Sequence, residues 1–562
     1  MGQKTSKEKF TLFEEEYMKL TYSDYSSASL RKIRQSHNLI GYDPNGTASI
    51  ICLIPGILRL LFLLLSPYSL IIFSTFLTSY IMFYIQGDTI QILLSPLALF
   101  SMFSILVSGI ILLRYFYFPK KSPILIKKYG ENPFGAVNRK GLYFCERNSC
   151  MMEILKKCPT LTSPEVQIGA LPLYSHHTGK RTGILEPTPW MFTGDMRTIF
   201  PFLSFDPPRI NYVRRYVRVP LNDGPLCDLK EEDDVSKYEG VALDWALPAG
   251  DIGDNYTASS SSSKHDNTEA PIAIVILAGL TGGSDEGYVR DFVSACRDIG
   301  WHSFVVIGRG LMSTPCESDA FFHGARTADL KSCVEIVHEC LPSVCKIVVV
   351  GISMGGIIVA NALARGELDG MVDGAICLAG TLDTNRNRRF LHSRDYWQPV
   401  LSQGLKEAFA AHPSRMRRML ARVGPEAQQR LDEVCNVADF DAKIIKPLVR
   451  YHDNEHYYRD MSPTKEMYKN VCVPFLIVHA QDDPILHVDS MPVEEYRSGK
   501  NTENICVLIT STGGHVGWPL GMNPWKHRWR FQNTIAIEFC RGIIQSDINV
   551  KDAKNLRFRG KK

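Results

Sequence analysis

The sequence predicts an α/β protein with a mostly parallel sheet, helices on both faces of that sheet, a helical cap insertion and an N-terminal transmembrane hairpin. Two observations predict this class. From residue 272 onward, short apolar segments rich in β-branched residues alternate with helical patterns, as is typical of parallel strands buried on both faces. Before them, residues 60–87 and 89–113 contain no charged residue, and each stretch exceeds the ~20 apolar residues of a spanning helix.

The composition fits a globular chain of several domains. Its 562 residues are too many for one module of ~100–200 residues. Charged residues make up 22% of the chain and hydrophobic residues 45%, and this composition excludes a mostly disordered chain. The 63 basic and 59 acidic residues leave a net charge of +4, which indicates no nucleic-acid partner. Fifteen cysteines without a C-x-x-C pair argue against a disulfide scaffold and a zinc module, so we expect free buried thiols and no metal or cofactor.

The uncharged stretches predict two transmembrane helices within residues 48–118. Asp88 with Gln86 and Gly87 separates them and fits a tight turn. One long span beside an interfacial segment is the alternative, but the combined stretch is far longer than a ~30 Å hydrocarbon core allows for one helix. Lys and Arg flank the pair on both sides and are absent from the connecting loop. Both ends, and the domain that follows, are therefore expected to face the cytosol.

Residues 1–47 are expected to form a cytosolic segment that carries a lipid. Met1, Gly2 and Ser6 match the N-myristoylation pattern M-G-x-x-x-[ST], in which Gly2 is acylated. The pattern applies in a eukaryotic host. Because one acyl chain holds membranes only weakly, the hairpin would remain the main anchor of an integral membrane protein.

The rest of the chain divides by composition. Residues 119–200 are rich in Pro, Gly and Lys and are predicted to be an irregular linker. Residues 201–546 hold the α/β domain, which contains a serine-rich surface insert at 251–268, and residues 547–562 form a basic tail. The charged, helical interval 385–470 interrupts the strand series, and we expect it to cover the carboxyl edge of the sheet.

Within the α/β domain, strands are predicted where short apolar runs carry β-branched residues, and helices where apolar residues recur at helical spacing. The predicted strands are residues 272–277, 303–307, 347–350, 374–379, 473–478 and 505–509. The predicted helices are residues 288–299, 326–341 and 356–364.

One segment carries a specific chemical signal, the sequence Gly351-Ile352-Ser353-Met354-Gly355 between a predicted strand and a predicted helix. A G-x-S-x-G motif in this context is typical of a nucleophile on a strained strand-to-helix turn, where small residues two positions away let strand and helix approach. A glycine-rich turn with an incidental serine is the alternative, and the flanking strand and helix make it the weaker one.

A serine hydroxyl becomes a nucleophile only beside a base, here a histidine that a carboxylate orients. In this kind of domain the carboxylate follows the serine in the sequence and the histidine comes last. His515 follows the last predicted strand, and Asp483 follows the strand before it, next to Asp482. We predict that Ser353, Asp483 and His515 form a catalytic triad. His487 lies close to the acid loop and is the alternative base. The remaining histidines, including His323, His452 and His456, are expected to cap loops or face solvent.

The transition state of acyl transfer also needs two N–H donors for the developing oxyanion. We assign one to Met354, which follows the nucleophile, and the other to Leu280 in the loop 278–283, with Thr281 as the neighbour that could replace it. A phosphate-binding loop is a poor alternative, because this glycine-rich loop lacks the lysine of a P-loop and the spacing of a dinucleotide fingerprint.

These segments together resemble the α/β-hydrolase superfamily, and within it the YheT-like branch. That branch includes embryogenesis-associated plant proteins, membrane-anchored mammalian α/β-hydrolase-domain lipases and yeast medium-chain ethyl ester synthases. The resemblance covers roughly residues 185–545. The segments that carry it are Pro187-Thr188-Pro189-Trp190, Gly194-Asp195-Met196-Arg197-Thr198, Asp223-Gly224, Leu243-Asp244-Trp245, Gly279-Leu280-Thr281-Gly282-Gly283-Ser284, Tyr288-Val289-Arg290, the G-x-S-x-G motif, Asp482-Asp483-Pro484 and Gly513-Gly514-His515-Val516-Gly517-Trp518.

The resemblance implies carboxylic-ester chemistry on acyl lipids, such as monoacylglycerols or medium-chain phospholipids, and implies that the second aspartate of the Asp-Asp-Pro loop is catalytic. Asp195 and Arg197 depart from the family, which usually has His and Gln there. Two alternatives remain. An acyltransferase or alcohol ester synthase would use the same acyl-Ser353 intermediate, and a membrane scaffold would have the fold without the activity.

Overall fold

In the computed structural model, the described residues are 142–143, 148–162, 187–188, 190–220, 238–246, 272–314, 321–342, 344–412, 417, 419–421, 423–449, 451–463, 470–491, 504–510 and 512–546. The expected hairpin, Gly2, the serine-rich insert and the basic tail lie outside these residues. Within the described part of the chain, none of the helices combines the length and apolar character that crossing a membrane requires.

The described residues form one sheet of nine strands in the order β1-β9-β8-β7-β6-β4-β5-β3-β2. The six strands β4 to β9 are parallel. At one edge β3 pairs antiparallel with β5 and with β2, and at the other edge β1 pairs antiparallel with β9. The strands are β1 Leu142–Tyr143, β2 Val213–Pro220, β3 Tyr238–Ala246, β4 Ile272–Leu277, β5 His302–Val306, β6 Lys346–Ile352, β7 Gly374–Leu378, β8 Phe475–Ala480 and β9 Ile505–Thr510. The predicted mostly parallel sheet is thereby confirmed.

Helices cover both faces of the sheet, because each central strand is apolar on both sides. In β4, Ile274 and Ile276 lie in the core on one face, and Val275 and Leu277 lie in the core on the other, as the two-residue period of a strand requires. Helices α4 and α13 pack on the first face, and α5 and α6 pack on the second. These helices are α4 Gly287–Asp298, α5 Ala328–Cys340, α6 Met354–Ala364 and α13 Arg530–Gln545.

A run of short helices between β7 and β8 forms the cap. Its aromatic core joins it to the loop before α5, since the ring centroids of Phe321 and Phe409 are 5.8 Å apart. On the side of the nucleophile, a Cβ placed on Gly404 would lie 3.6 Å from Thr281 Oγ1. The cap comprises α7 Thr384–Asn387, the π-helix Ser393–Trp397, α8 Gln398–Ala410, the 3-10 helix Gly424–Glu426, α9 Ala427–Asp432, α10 Val437–Phe440, the π-helix Asp441–Ile445, α11 Lys446–Val449 and α12 Asn454–Asp460.

Among the described residues, three helices and one strand of the domain begin before residue 201, where the sequence predicts the start of the domain. They are β1, α1 Ser149–Lys156, α2 Pro159–Thr162 and α3 Gly194–Ser204. Strand β1 extends the sheet beside β9, and Thr160 of α2 hydrogen-bonds to Glu538 of α13 through its N–H and its hydroxyl, at 2.9 and 2.7 Å. A two-residue strand and short helices are below the length at which periodicity is readable, which is why this region resembled a linker.

Candidate active site

The nucleophile turn joins β6 to α6 at Ser353. Ser353 has φ +54° and ψ −118°, a conformation that costs an ordinary residue about 1–3 kcal/mol and is held here by its surroundings. Its N–H donates to the carbonyl of Leu378 at 2.8 Å. Crowding also forces a glycine at position 355, because a Cβ there would lie 2.3 Å from the carbonyl oxygen of Leu277. Close backbone packing therefore supports the turn.

The structure brings the predicted Ser353, His515 and Asp483 together. His515 Nε2 lies 2.8 Å from Ser353 Oγ, and His515 Nδ1 lies 2.7 Å from Asp483 Oδ2. A carboxylate only accepts, so Nδ1 carries the proton and Nε2 is left to accept one from the serine. The side chains sit on three different loops at the carboxyl edge of the sheet, as open α/β sheets arrange their sites.

Asp483 is held as a carboxylate. Its side chain is fully buried, and its Oδ1 accepts the N–H groups of Ile485 and Leu486, each at 2.8 Å. Burial alone would raise the pKa of Asp483, but the charge of His515 and the hydrogen bonds outweigh it and hold the pKa below its usual value. A charged Asp483 stabilises the imidazolium that forms when His515 takes a proton.

The neighbouring aspartate points elsewhere. Asp482 Oδ2 accepts from Arg197 at 2.7 Å, and its Oδ1 accepts the N–H of Gly514 at 2.9 Å. His487, the alternative base, instead accepts the N–H of Asp489 at 3.2 Å and caps a 3-10 helix. The two aspartates therefore have different partners, and Asp483 is the one that contacts His515.

The other histidines divide between the surface and the core. His452 and His456 both hold Asp453, the N-cap of α12, at 3.0 and 3.2 Å. These three residues bring ligand atoms within 4.8 Å of one another, but capping already accounts for the carboxylate. The expectation was wrong for His323, which is buried next to Tyr457 at a centroid distance of 5.5 Å. Burial lowers the pKa of His323 to about 4, so this histidine is neutral.

The loop assigned to the oxyanion donors lies directly beside the nucleophile. A Cβ on Gly279 would be 3.2 Å from Ser353 Cβ, and the N–H of Gly279 itself donates to the hydroxyl of Tyr288 at 2.9 Å. Tyr288 thus fixes the loop from α4. Met354 occupies the first turn of α6, where backbone N–H groups lack intrahelical acceptors. Leu280 N–H and Met354 N–H remain the two predicted donors.

Helix α3 supports the acid and histidine loops, a role that the sequence alone did not suggest. Thr198 Oγ1 accepts the backbone N–H of His515 at 2.8 Å and donates to the carbonyl of Gly194 at 2.7 Å. Arg197, only 3% exposed, pairs with Asp482. A Cβ on Gly194 would fall 1.6 Å from the carbonyl oxygen of Asp482, so the helix begins in direct backbone contact with the acid loop. The only sequence signal was the segment 194–198 in the family resemblance.

Asp195 links α3 to the cap. Its Oδ1 accepts from Trp397 Nε1 at 2.7 Å and lies 2.8 Å from His392 Nε2. The hydrogen bond to Asp195 raises the pKa of His392, with burial opposing it and the negative charges of Asp195 and Asp395 adding to it. The two residues that depart from the family pattern, Asp195 and Arg197, therefore each hold a named partner.

Asp244 ties the antiparallel edge of the sheet to the oxyanion loop. It accepts two hydrogen bonds from Arg214, at 2.6 and 2.8 Å, and one from the hydroxyl of Ser284 at 2.5 Å. Ser284 follows the glycine-rich loop, so this buried network fixes the far end of that loop. The L-D-W segment is thus structural.

A cavity of about 40 Å³ lies behind the oxyanion loop. Apolar side chains line most of it, and His323, Arg326 and Asp329 are its ionisable lining residues. At ≳10–15 Å³ for each water, it holds only a few water molecules.

Comparisons with known proteins point to one group of hydrolases. The family model Hydrolase_4, described as serine aminopeptidase S33, matches residues 323–506. The monoacylglycerol lipase of Saccharomyces cerevisiae is 29% identical over 65% of this chain and 81% of its own length. Embryogenesis-associated protein EMB8 of Picea glauca is 28% identical over 55% of this chain and 65% of its own length. Human phospholipase ABHD3 is 23% identical over 64% of this chain and 79% of its own length. An acylaminoacyl peptidase structure from Pyrococcus horikoshii aligns with a TM-score of 0.35 and 17% identity, over 61% of this chain and 44% of that one.

Proposed function

Since this chain belongs to the α/β-hydrolase superfamily and is a serine carboxylic-ester hydrolase, we propose that it cleaves esters of acyl lipids through an acyl-Ser353 intermediate. The observation that carries the proposal is the pair of hydrogen bonds that joins Ser353 to His515 and His515 to Asp483, at 2.8 and 2.7 Å. Serine becomes a nucleophile only beside such an oriented base.

The reaction follows from these positions. His515 Nε2 takes the hydroxyl proton as Ser353 Oγ bonds to the ester carbonyl carbon, and the carbonyl oxygen becomes an oxyanion facing the N–H groups of Leu280 and Met354. The C–O bond to the alcohol breaks when His515 returns the proton to the leaving oxygen. A water molecule then gives one proton to His515 as its oxygen bonds to the acyl carbon. The bond from that carbon to Ser353 Oγ breaks, His515 returns the proton to Oγ, and the fatty acid leaves.

The lipid part of the proposal is supported by the relatives. Two of them are named monoacylglycerol lipase and phospholipase, so we propose a monoacylglycerol or a medium-chain phospholipid or ester as substrate. Transfer of the acyl group to an alcohol would use the same intermediate and differ only in the second step.

We also propose that the protein is an integral membrane protein with its hydrolase domain in the cytosol. The support is the pair of uncharged stretches within residues 48–118 and the cations that flank them on both sides. Gly2 is proposed as a secondary attachment site for myristate. Anchoring would raise the concentration of the domain at the lipid surface.

A fluorophosphonate probe tests the serine, and released products test the reaction. We expect labelling of the full-length protein but not of Ser353→Ala, with Ser402→Ala, a buried serine of the cap, as the matched control. Vesicles that contain monoacylglycerol or phospholipid then identify the head group by the fatty acid released, and added ethanol reveals transfer as ethyl ester. Folded protein that takes up no probe would contradict an enzyme and favour a scaffold.

Fractionation tests the anchor. Deleting residues 1–118 should release a protein that still cleaves a small soluble ester, because the described strands and all site residues lie after residue 141. Gly2→Ala should remain membrane-bound through carbonate extraction, since one acyl chain gives a binding constant of only about 10⁴ M⁻¹. Release of Gly2→Ala alone into the soluble fraction would contradict the hairpin.

A further inference from the structure

Helix α3 and the segment that packs against it expose large apolar side chains next to the active site. Phe202, Leu203, Met522 and Trp525 are 67%, 70%, 69% and 49% exposed. We name as the α3 surface the residues Trp190, Phe192, Phe200, Phe202, Leu203, Met522 and Trp525. From it we propose that the domain docks on the headgroup region of a bilayer that contains anionic lipid, a proposal that rests on the proposed lipid-ester function.

The α3 surface is built rigidly. The rings of Trp190 and Phe200 lie 4.9 Å apart, those of Phe200 and Trp525 lie 5.0 Å apart, and Trp190 lies 6.0 Å from Trp525. Trp190 Nε1 also donates to the carbonyl of Met522 at 3.0 Å. Each of these rings thus packs against another, and this packing supports the exposed side chains of the α3 surface.

The chemistry of the surface selects its partner. Contiguous exposed apolar residues mark an interaction site, and Trp, Phe and Leu beside cations are typical of segments that lie in the membrane interface. Lys526 and Arg530 are exposed in the same segment as Trp525, and Arg209 is exposed after α3. The nearby Asp206 is already paired with Arg290 at 2.9 Å. Cations around an apolar centre complement anionic headgroups.

The position of the surface connects docking with catalysis. Thr198, which accepts the N–H of His515, lies in the same helix as Phe202, ~6 Å away along the helix axis. Ile199 packs against Trp397, Ile485 and Leu486 at the border of cap and acid loop. A bilayer in contact with Phe202 would therefore lie close to the loop that carries His515 and to the border of the cap. The proposed hairpin would keep the domain near the membrane, and the α3 surface would set its orientation.

The test compares two esters with the same protein. Full-length Phe202→Ser/Leu203→Ser and wild type are reconstituted in phosphatidylcholine vesicles with or without phosphatidylserine. We expect the ratio of activity on bilayer monoacylglycerol to activity on a soluble short-chain ester to fall about ten-fold in the variant. The control is Val344→Ser/Leu420→Ser, whose side chains are 64% and 42% exposed outside the α3 surface, and its ratio should not change. Lys526→Glu/Arg530→Glu should abolish the stimulation by phosphatidylserine.

Each other outcome is informative. An unchanged ratio of bilayer to soluble-ester activity in Phe202→Ser/Leu203→Ser would overturn the proposal. So would a wild-type dimer in detergent that these two substitutions convert to a monomer, because the α3 surface would then bind a second copy of the chain. If the double variant also lost activity on the soluble ester, the decisive measurement would be the quenching of tryptophan fluorescence by brominated lipid in wild type. Trp525→Phe should reduce this quenching, because Trp525 would contact the bilayer. A wild-type protein that is inactive on both esters would contradict the proposed function. The fluorescence quenching by brominated lipid would still test whether the α3 surface binds the bilayer.

Discussion

Ser353 is positioned by the backbone around it, whereas His515 and Asp483 are positioned by side chains from a distant part of the chain. At the nucleophile, the main-chain oxygen of Leu277 leaves no room for a Cβ at Gly355. At the histidine, Thr198 and Arg197 of α3 supply the hydrogen bond and the ion pair that hold the loops. The nucleophile is thus fixed mainly by close backbone packing, whereas the acid and histidine loops also depend on polar side chains of α3, beside the close backbone approach of Gly194 to Asp482.

This difference has a mechanical meaning. Steric exclusion is all-or-none, because an added methyl group at a 2.3 Å approach has nowhere to go. Polar support is graded, because each lost hydrogen bond costs about 1–3 kcal/mol and leaves the others in place. We therefore expect substitutions at the nucleophile turn to abolish activity and substitutions of the polar side chains of α3 to reduce it in steps.

The largest effect is expected for Ser353→Ala, which removes the nucleophile. We expect kcat for ester cleavage to fall ~10⁴–10⁶-fold, as in other serine triads. Thermal unfolding should stay near that of wild type, since the substitution removes only a hydroxyl. Steady-state kinetics on a soluble ester measure it. Retention of most activity would show that a different residue attacks the ester.

Next in size is the contrast between two adjacent aspartates. Asp483→Asn should lower kcat ~10⁴-fold, because an amide favours the wrong tautomer of His515. Asp482→Asn, the matched control, should lower it only ~10-fold through a loosened contact with Arg197 and Gly514. Kinetics and unfolding curves for both variants decide. If Asp482→Asn were the severe change, the assignment of the acid would be wrong by one residue.

A smaller effect is expected for Thr198→Val, which removes the acceptor of the His515 N–H. We expect kcat to fall ~10-fold with KM little changed, because the substitution displaces the base without touching substrate. Thr198→Ser keeps the hydroxyl and should restore activity. Equal loss in Thr198→Ser and Thr198→Val would indicate that the side chain only fills space.

The smallest effect concerns the cap and depends on pH. The hydrogen bond to Asp195 raises the pKa of His392 above its ordinary 6.5, so the folded state binds the proton more tightly than the unfolded chain does. The stabilisation is fully present below pH 6.5 and is lost as the pH rises through the raised value. His392→Gln should thus lower Tm on the order of 1 °C at low pH. A Tm difference that grew with pH would contradict the sign.

Sequence reasoning was most successful where the determinants are local. The G-x-S-x-G turn places its strand, serine and helix within ten residues of sequence, and the order Ser353, Asp483, His515 follows the strand order. The predicted segment 272–277 coincides with β4, and the others agree within a few residues. The 473–478 prediction begins two residues early, because Val473 is buried without pairing in β8.

The contribution of α3 was not readable from the sequence for a physical reason. Arg197 and Asp482 are 285 residues apart, and no periodicity in either segment indicates the other. The family resemblance marked the segment but also marked Asp195 and Arg197 as departures. Their partners, Trp397 and Asp482, are visible only in three dimensions. His323 was misassigned for the same reason, since its burial comes from the cap.

Strand β1 has a consequence for how the chain folds. Its pairing with β9 cannot form until residues 505–510 have been synthesised, and the contact of Thr160 with Glu538 must wait for the 378 residues of sequence that separate them. At ~5–20 residues per second, that interval is roughly 20–75 s on the ribosome. For most of this time β1 has no partner strand, and once β9 has been made its outer edge stays open until β1 pairs with it. Open strand edges pair with other chains. Pairing of β1 with β9 is therefore a late step in folding. Chains that lack β1 should aggregate before they lose their active site, whereas deletion of residues 1–118 leaves β1 in place.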